Sequence, residues 1–266
     1  MKIGFVGIGN MGSAILRGYY PLAKESGNEI LVFQRTIEKM YELAKELDVY
    51  PCENVNELVQ KSDIVILGIK PKDFEALLEN IEADVTDEKI IVSMAAGISI
   101  TYIKDKLKGK GKIIRIMPNT PALVKEGVTS ISREESIEDE IFDQVKAIFE
   151  GIGKAVEVPE DMIHTVIGVS GSSPAYTYMY IDALARSAEK RGMTREDALE
   201  FAAQAVLGAA KMVMETGVDP DQLKINVCSP NGATIEAVEK LEAWKFYDMI
   251  DEGFEAAYAR SKELTK

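Results

Sequence analysis

Lys2-Ile-Gly-Phe-Val-Gly-Ile-Gly-Asn-Met-Gly12 is the stretch that decides how the rest of the chain folds. Its apolar side chains Ile3, Phe5, Val6 and Ile8 read as a buried strand running straight into Gly7-x-Gly9-x-x-Gly12, with helix-forming residues over 13–17. Strand, glycines and helix in that order make a dinucleotide-binding signature of what would otherwise be a common glycine spacing. Gly7 is expected to allow the tight turn, Gly9 to let a pyrophosphate approach the backbone, and Gly12 to let helix and strand pack closely. Asn10 and Met11 complete the loop, and the phosphates would rest on amides at the positive end of the helix. A glycine-rich turn with no ligand is the plainer alternative.

Composition bounds the rest. A chain of 266 residues with 46% apolar content has room for two ordinary domains, expected here as 1–160 and 161–266. The net charge of -13, from 31 basic and 44 acidic side chains, with no basic block, excludes nucleic acid as a natural partner. Cys52 and Cys228 are isolated and His164 is single, which predicts a reducing, cytoplasmic setting and no structural metal. No apolar run reaches the ~18 residues of a membrane span. Asn10 and the early glycines interrupt any leader-like apolar core, so the start is expected to be mature and folded.

The second strand, Glu29-Ile-Leu-Val-Phe33, leads into the residues that choose the coenzyme. An NAD-binding unit usually places Asp or Glu there to accept from the ribose 2′-hydroxyl. Here the place reads Gln34-Arg35-Thr36, a cation and a hydroxyl with no carboxylate to repel a 2′-phosphate, which favours NADP with NAD as the alternative. Arg35 as a solvated charge and Thr36 as a helix cap are the plainer roles. The next helix, 36–47, places Met40, Leu43, Ala44 and Leu47 on one face.

A short third strand is expected at 48–50, a continuous apolar strand at 63–68, and two more at 89–95 and 112–117. Ser99 is expected to cap a helix carrying Ile100, Ile103 and Leu107, closed by Gly109. A final strand is expected over 152–158. Strands alternating with helices predict a doubly wound, mostly parallel α/β sheet of the Rossmann kind. Its strand ends, Ile69-Lys70-Pro71, Ala95-Ala96-Gly97 and Met117-Pro-Asn119-Thr-Pro121, read as walls of the ligand crevice, although turn chemistry alone would use the same residues.

Beyond residue 161 the strands stop and an all-helical domain is expected. Ser173-Pro174 opens a helix to about 191, with Pro174 at its first position. Thr194-x-x-Asp197 resembles a capping box and opens a segment of roughly 23 residues, ~34 Å long. Its middle, residues 201–210, is nearly all small or apolar, so the helix must be surrounded, and a homodimer built by interleaving such helices is expected, with a self-contained bundle as the alternative. Later helices are expected from near Ala233 and near Trp244. Between them and the long helix, Ser229-Pro-Asn231-Gly232-Ala233-Thr234 breaks the backbone and offers amides at Gly232, Ala233 and Thr234 to a carboxylate. An ordinary helix cap by Ser229 or Asn231 is the equal alternative.

Taken together, Gly-x-Gly-Asn-Met-Gly12, Ile69-Lys-Pro71, Ala95-Ala-Gly97, Met117-Pro-Asn-Thr-Pro121, Gly171-Ser-x-Pro-Ala-Tyr176 and Ser229-Pro-x-Gly-x-Thr234 resemble the pyrroline-5-carboxylate reductase family over nearly the whole chain. The resemblance implies NADPH-dependent reduction of a cyclic imino acid in the last step of proline synthesis, with interlocked dimers that often assemble into decamers. It makes residues 229–234 the substrate loop, Ser229, Asn231, Gly232 and Ala233 holding the substrate, and Thr234 the catalytic hydroxyl. Asn231 stands where the family usually has Gly, and Ser173 where Gly-Ser-Gly-Pro has Gly. The loop holds no acid, Lys or His, so the proton either passes through Thr234 from water or arrives on the imine. Rival readings are a reductase of a related cyclic imine, a non-catalytic nucleotide-binding homologue, and a 3-hydroxy acid dehydrogenase. The last places a catalytic Lys after a Gly-rich turn, and Ser170-Gly171-Ser-Ser-Pro-Ala-Tyr-Thr-Tyr178 has none.

Overall fold

A computed structural model describes residues 1–265. Strand β1 (Lys2–Val6) leads into helix α1 (Asn10–Glu25), followed by β2 (Glu29–Phe33), α2 (Ile37–Leu47), β3 (Tyr50–Pro51) and α3 (Val55–Lys61). The alternation continues through β4 (Ile64–Leu67), α4 (Phe74–Ile81), β5 (Ile90–Ser93), α5 (Ile100–Lys106) and β6 (Lys112–Met117). It closes with β7 (Gly127–Arg133), α6 (Asp139–Glu150) and β8 (Gly153–Glu157). Helices alone come after it: α7 (Ile163–Val166), α8 (Ser173–Glu189), α9 (Arg195–Thr216), α10 (Pro220–Val227), α11 (Ala233–Ala243) and α12 (Phe246–Glu263).

The strands form one sheet in the order β3-β2-β1-β4-β5-β6-β7-β8. Every pairing is parallel except β6 with β7, where Ile116 faces Ile131. Successive side chains point to opposite faces, and both faces are buried. Ile3, Phe5, Ile64 and Ile66 join α1, α2 and α6 in one apolar cluster, while Val6, Val65 and Leu67 join α3, α4 and α5 in the other. Chain order reverses between β1 and β4, the position that opens a crevice at the strand ends.

Several boundaries differ from the sequence expectation for identifiable reasons. Strand β3 begins at Tyr50 because Asp48 ends α2 in the left-handed conformation, φ 53. Strand β7 carries no sustained apolar run: Thr129, Ser130 and Ser132 are buried polar residues, so the segment lacks the pattern that reveals a strand. Ser99 caps α5 as expected, accepting from the Tyr102 N–H at 3.1 Å. Pro174 is the second, not the first, residue of α8. Helix α10, without a marked apolar stripe, fills the interval before residues 228–232.

One compact unit comprises Met1–Gly171 with the residues from Ala257 onward, and a second comprises Ser172–Ala256. Within the first, Arg115 of β6 is 2% exposed and pairs with Glu160, Nη1 to Oε1 2.9 Å. The same Glu160 oxygen accepts the Ile100 N–H at 2.8 Å, while Nε and Nη2 of Arg115 have no partner. Nδ1 of His164 lies 2.8 Å from the hydroxyl of Ser261, tying α7 to the end of α12.

The second unit is built differently. Helices α8 and α9 pack together, and Arg195 at the start of α9 pairs with Asp182 and Glu189 of α8. Thr194 caps α9 by accepting the Asp197 N–H, as its spacing predicts, and its hydroxyl donates to the Asp197 carboxylate. The only buried side chains of this unit among the described residues are Ala185, Ala198 and Ala202. Phe201 is 69% exposed and Met214 67%.

Candidate active site

The site begins at the turn after β1. Gly7 has φ 85, and its N–H donates to the carbonyl of Phe33 at 2.8 Å. A Cβ on Gly12 would stand 2.5 Å from the Gly7 carbonyl, so the first turn of α1 presses directly on the loop. Gly68, at the end of β4, meets Gly7 from the other side: a Cβ there would lie 2.6 Å from the same carbonyl oxygen. Gly9 is the N-cap of α1 and has no side chain to cap it, and a Cβ there would meet nothing within 4 Å. A bare helix start therefore faces open space, the arrangement that binds a phosphate.

Two clefts flank this loop and share Ile8, Gly9, Gln34 and Thr36. One, of about 500 Å³, runs between the ends of β2 and β4 and is lined by Gly7, Arg35, Ile69, Lys70, Asp73 and Leu77 among others. The second, of about 700 Å³, runs along α1 past Asn10, Ser13, Arg17, Lys39 and Lys125. In it Arg17 forks onto the Glu46 carboxylate, Nη1 and Nη2 at 2.5 and 2.8 Å, and that pairing holds the Glu46 carboxyl below its ordinary value. Thr36 occupies the N-cap position of α2 but its side chain makes no capping bond, so the plainer role for it is not taken. Arg35, 83% exposed, is not a purely solvated charge either: Nη2 lies 3.1 Å from Oδ2 of Asp73.

Of the expected coenzyme residues, Gly7, Gly9, Asn10, Gln34, Arg35, Thr36, Ile69 and Lys70 line the two clefts. Gly12 shapes the loop from behind, Met11 packs against the apolar cluster, and Pro71 opens the 3₁₀ turn Pro71–Asp73. Ala95, Ala96, Gly97 and Asn119 line neither cleft. Gly97, φ 75, is needed where the backbone of Leu264 crosses it. The Asn119 amide is committed inside the protein: Oδ1 accepts the Val128 N–H at 2.9 Å and Nδ2 donates to the Ser170 carbonyl at 3.1 Å. Asn119 thus braces β7 and the wide turn at Ile167–Gly171 rather than offering its amide to a ligand. Lys39, Lys72, Asp73 and Lys125 escaped the sequence reading because a single charge in a helix or loop looks the same whether it faces a cleft or solvent.

In the second unit, α10 ends at Val227 and α11 starts at Ala233 with Gly232 as its N-cap and no side-chain cap. Neither Ser229 nor Asn231 caps it, so of the two alternatives for this loop the bare helix start is the one present. Asn231 has φ 58, a left-handed conformation that Asn tolerates, so it keeps the turn in which a Gly would also fit. Gly232 is fixed by the Ser229 hydroxyl, which an added Cβ would strike. One expectation needs correction: the Gly232 N–H donates to the Ser229 carbonyl at 3.0 Å, so it is spent within the turn. Ala233 and Thr234, both exposed residues, carry the first amides of α11, which have no partner within the helix. Cys228, beside the loop, and Cys52 are free thiols, and burial pushes Cys52 up to about 11, which leaves it unreactive.

A doubly wound sheet whose first strand ends in this glycine turn, with a helix start left open above it, defines a dinucleotide-binding protein of the oxidoreductase kind. A family described as "Pyrroline-5-carboxylate reductase dimerisation" matches residues 160–264, and one described as "NADP oxidoreductase coenzyme F420-dependent" matches residues 2–97. Pyrroline-5-carboxylate reductase of Escherichia coli (strain K12) is 42% identical over 265 residues, 100% of this chain and 98% of that protein. The solved pyrroline-5-carboxylate reductase of Coxiella burnetii superposes with a TM-score of 0.93 at 31% identity, covering 99% of this chain and 98% of that one. The pyrroline carboxylate reductase of Plasmodium falciparum, solved with NADP bound, gives 0.86 at 28% identity over 100% and 98% of the two chains. The chain belongs to the pyrroline-5-carboxylate reductase family. Among its described residues no helix is long and apolar enough to cross a membrane.

Proposed function

We propose that this protein reduces the C=N bond of 1-pyrroline-5-carboxylate with NADPH, giving proline. The observation that carries this reading is the uncapped start of α11, preceded by the left-handed Asn231 in a loop that resembles the substrate loop of the family. Relatives of the whole chain are named for this reaction, and one is solved with NADP bound. Residues 1–160 would hold the coenzyme, and residues 161–266 the substrate and the partner subunit.

NADPH, when bound, would supply the hydride. The open start of α1 beside Gly9 would hold the pyrophosphate, Arg35 and Thr36 would meet the 2′-phosphate, and Ile69 and Lys70 would border the adenosine, with Pro71 shaping the turn behind them. Ala96, exposed just beyond β5, would border the nicotinamide side, with the buried Ala95 supporting it from within. The Ala233 and Thr234 amides hold the substrate carboxylate with the positive end of α11 behind them. The Thr234 hydroxyl hydrogen-bonds the ring nitrogen. Reduction of the imine requires a proton on that nitrogen, which Thr234 would relay from water or which the imine would already carry.

The family match over residues 160–264 and the exposed apolar faces of α8, α9 and α12 support a homodimer as the working unit; decamers are the larger assembly that the resemblance to the family implies. Two free cysteines favour a reducing, cytoplasmic setting. Mixing the purified protein with NADPH and pyrroline-5-carboxylate and following NADPH absorbance tests the proposal. Turnover dependent on both is expected, and no oxidation above background rejects it.

A further inference from the structure

The end of β2 carries no carboxylate, yet the fold brings one to that place from another strand end. Asp73 closes the turn that follows β4, its N–H donating to the Lys70 carbonyl at 2.9 Å. It stands at the N-cap of α4 but its side chain caps nothing there. The carboxylate instead lines the cleft shared with Gly9, Gln34 and Thr36 and takes the Arg35 guanidinium at 3.1 Å. The Asp73 side chain is 30% exposed, against 83% for Arg35, so the acid is the more firmly held member of the pair.

These two groups answer to opposite coenzymes. A carboxylate beside the adenosine ribose accepts from a 2′-hydroxyl, and a guanidinium there receives a 2′-phosphate. A phosphate monoester carries close to two negative charges at neutral pH, so it must share Arg35 with Asp73 or displace it. We infer that Asp73 is a second reader of the adenosine ribose, and that the Arg35–Asp73 pair sets the balance between NADPH and NADH. Arg35 draws the 2′-phosphate, while Asp73 opposes it and accepts from the 2′-hydroxyl of NADH. The inference rests on the proposed nicotinamide chemistry and names the residue that tunes it.

Calorimetric titration of NADPH and NADH into the wild-type protein and the Asp73→Asn, Asp73→Ser and Arg35→Ala variants tests it, with circular dichroism confirming that each variant is folded. Asp73→Asn is expected to lower the NADPH Kd about threefold to tenfold and raise the NADH Kd about twofold to fivefold, with the NADPH gain shrinking as salt rises. Asp73→Ser shifts the ratio the same way. Arg35→Ala shifts it the other way, weakening NADPH more than NADH. A ratio unchanged in both Asp73 variants, or equal losses for both coenzymes, overturns the inference and leaves the proposed function standing. Wild-type protein that binds neither coenzyme overturns the proposed function and this inference together.

Discussion

At the scale of single residues, sterics decide more than charge. Gly12 has no room for a side chain, because a Cβ would sit 2.5 Å from the Gly7 carbonyl, an immovable backbone atom. Gly12→Ala is therefore expected to push α1 off the loop, costing about 1–3 kcal/mol of stability and weakening NADPH binding at least tenfold. Thermal melts with and without NADPH check both effects, and unchanged binding would remove Gly12 from the coenzyme site. Thr234 behaves differently. Its side chain is exposed at the start of α11 and supports no packing, so Thr234→Ala is expected to lower kcat by about tenfold to a hundredfold while coenzyme affinity stays within about twofold. Steady-state kinetics beside a coenzyme titration separate the two, and an unchanged kcat would take Thr234 out of the chemistry.

At the scale of elements, one ion pair with a buried guanidinium and a partly exposed acid joins pieces that are distant in sequence. Arg115 of β6, Glu160 after β8 and the first amide of α5 meet at a single carboxylate oxygen. Removing the acid leaves a guanidinium buried with three of its nitrogens unpaired, since Nε and Nη2 have no partner already. Glu160→Ala is expected to cost about 3–5 kcal/mol, whereas Arg115→Met with Glu160→Met costs less than that single change. Urea unfolding at one fixed protein concentration measures both, and equal losses in the two proteins would contradict the argument.

At the scale of the whole molecule, the unit Ser172–Ala256 buries only three alanines of its own. A helical segment of this length with so little core cannot offset its chain entropy alone. Phe201 and Leu207 of α9 lie exposed beside the same shallow groove, of about 450 Å³. A second copy covering that face would account for their apolar character. Phe201→Asp with Leu207→Asp is expected to shift sedimentation from a dimer or larger assembly towards a monomer of 29.3 kDa and to lower the melting temperature by about 5 °C or more. An unchanged assembly state would place the interface elsewhere.

Local pattern determined much of this protein. Strand β2 is legible to the residue, the Ser99 and Thr194 caps follow from spacing, and Gly7 and Gly12 take the tight turn and the close helix packing that their spacing predicts. These features depend on neighbours a few residues away, so the sequence alone holds the information. Tertiary structure decided what depends on distant partners: β7, whose Thr129, Ser130 and Ser132 become core only against β6 and β8, and Asn119, whose amide is claimed by Val128 and Ser170. It also decided that the Gly232 amide is spent on Ser229, and that Asp73 reaches Arg35 across 38 positions of sequence. Periodicity reports which face of an element is buried, but only the folded chain reports which group stands opposite.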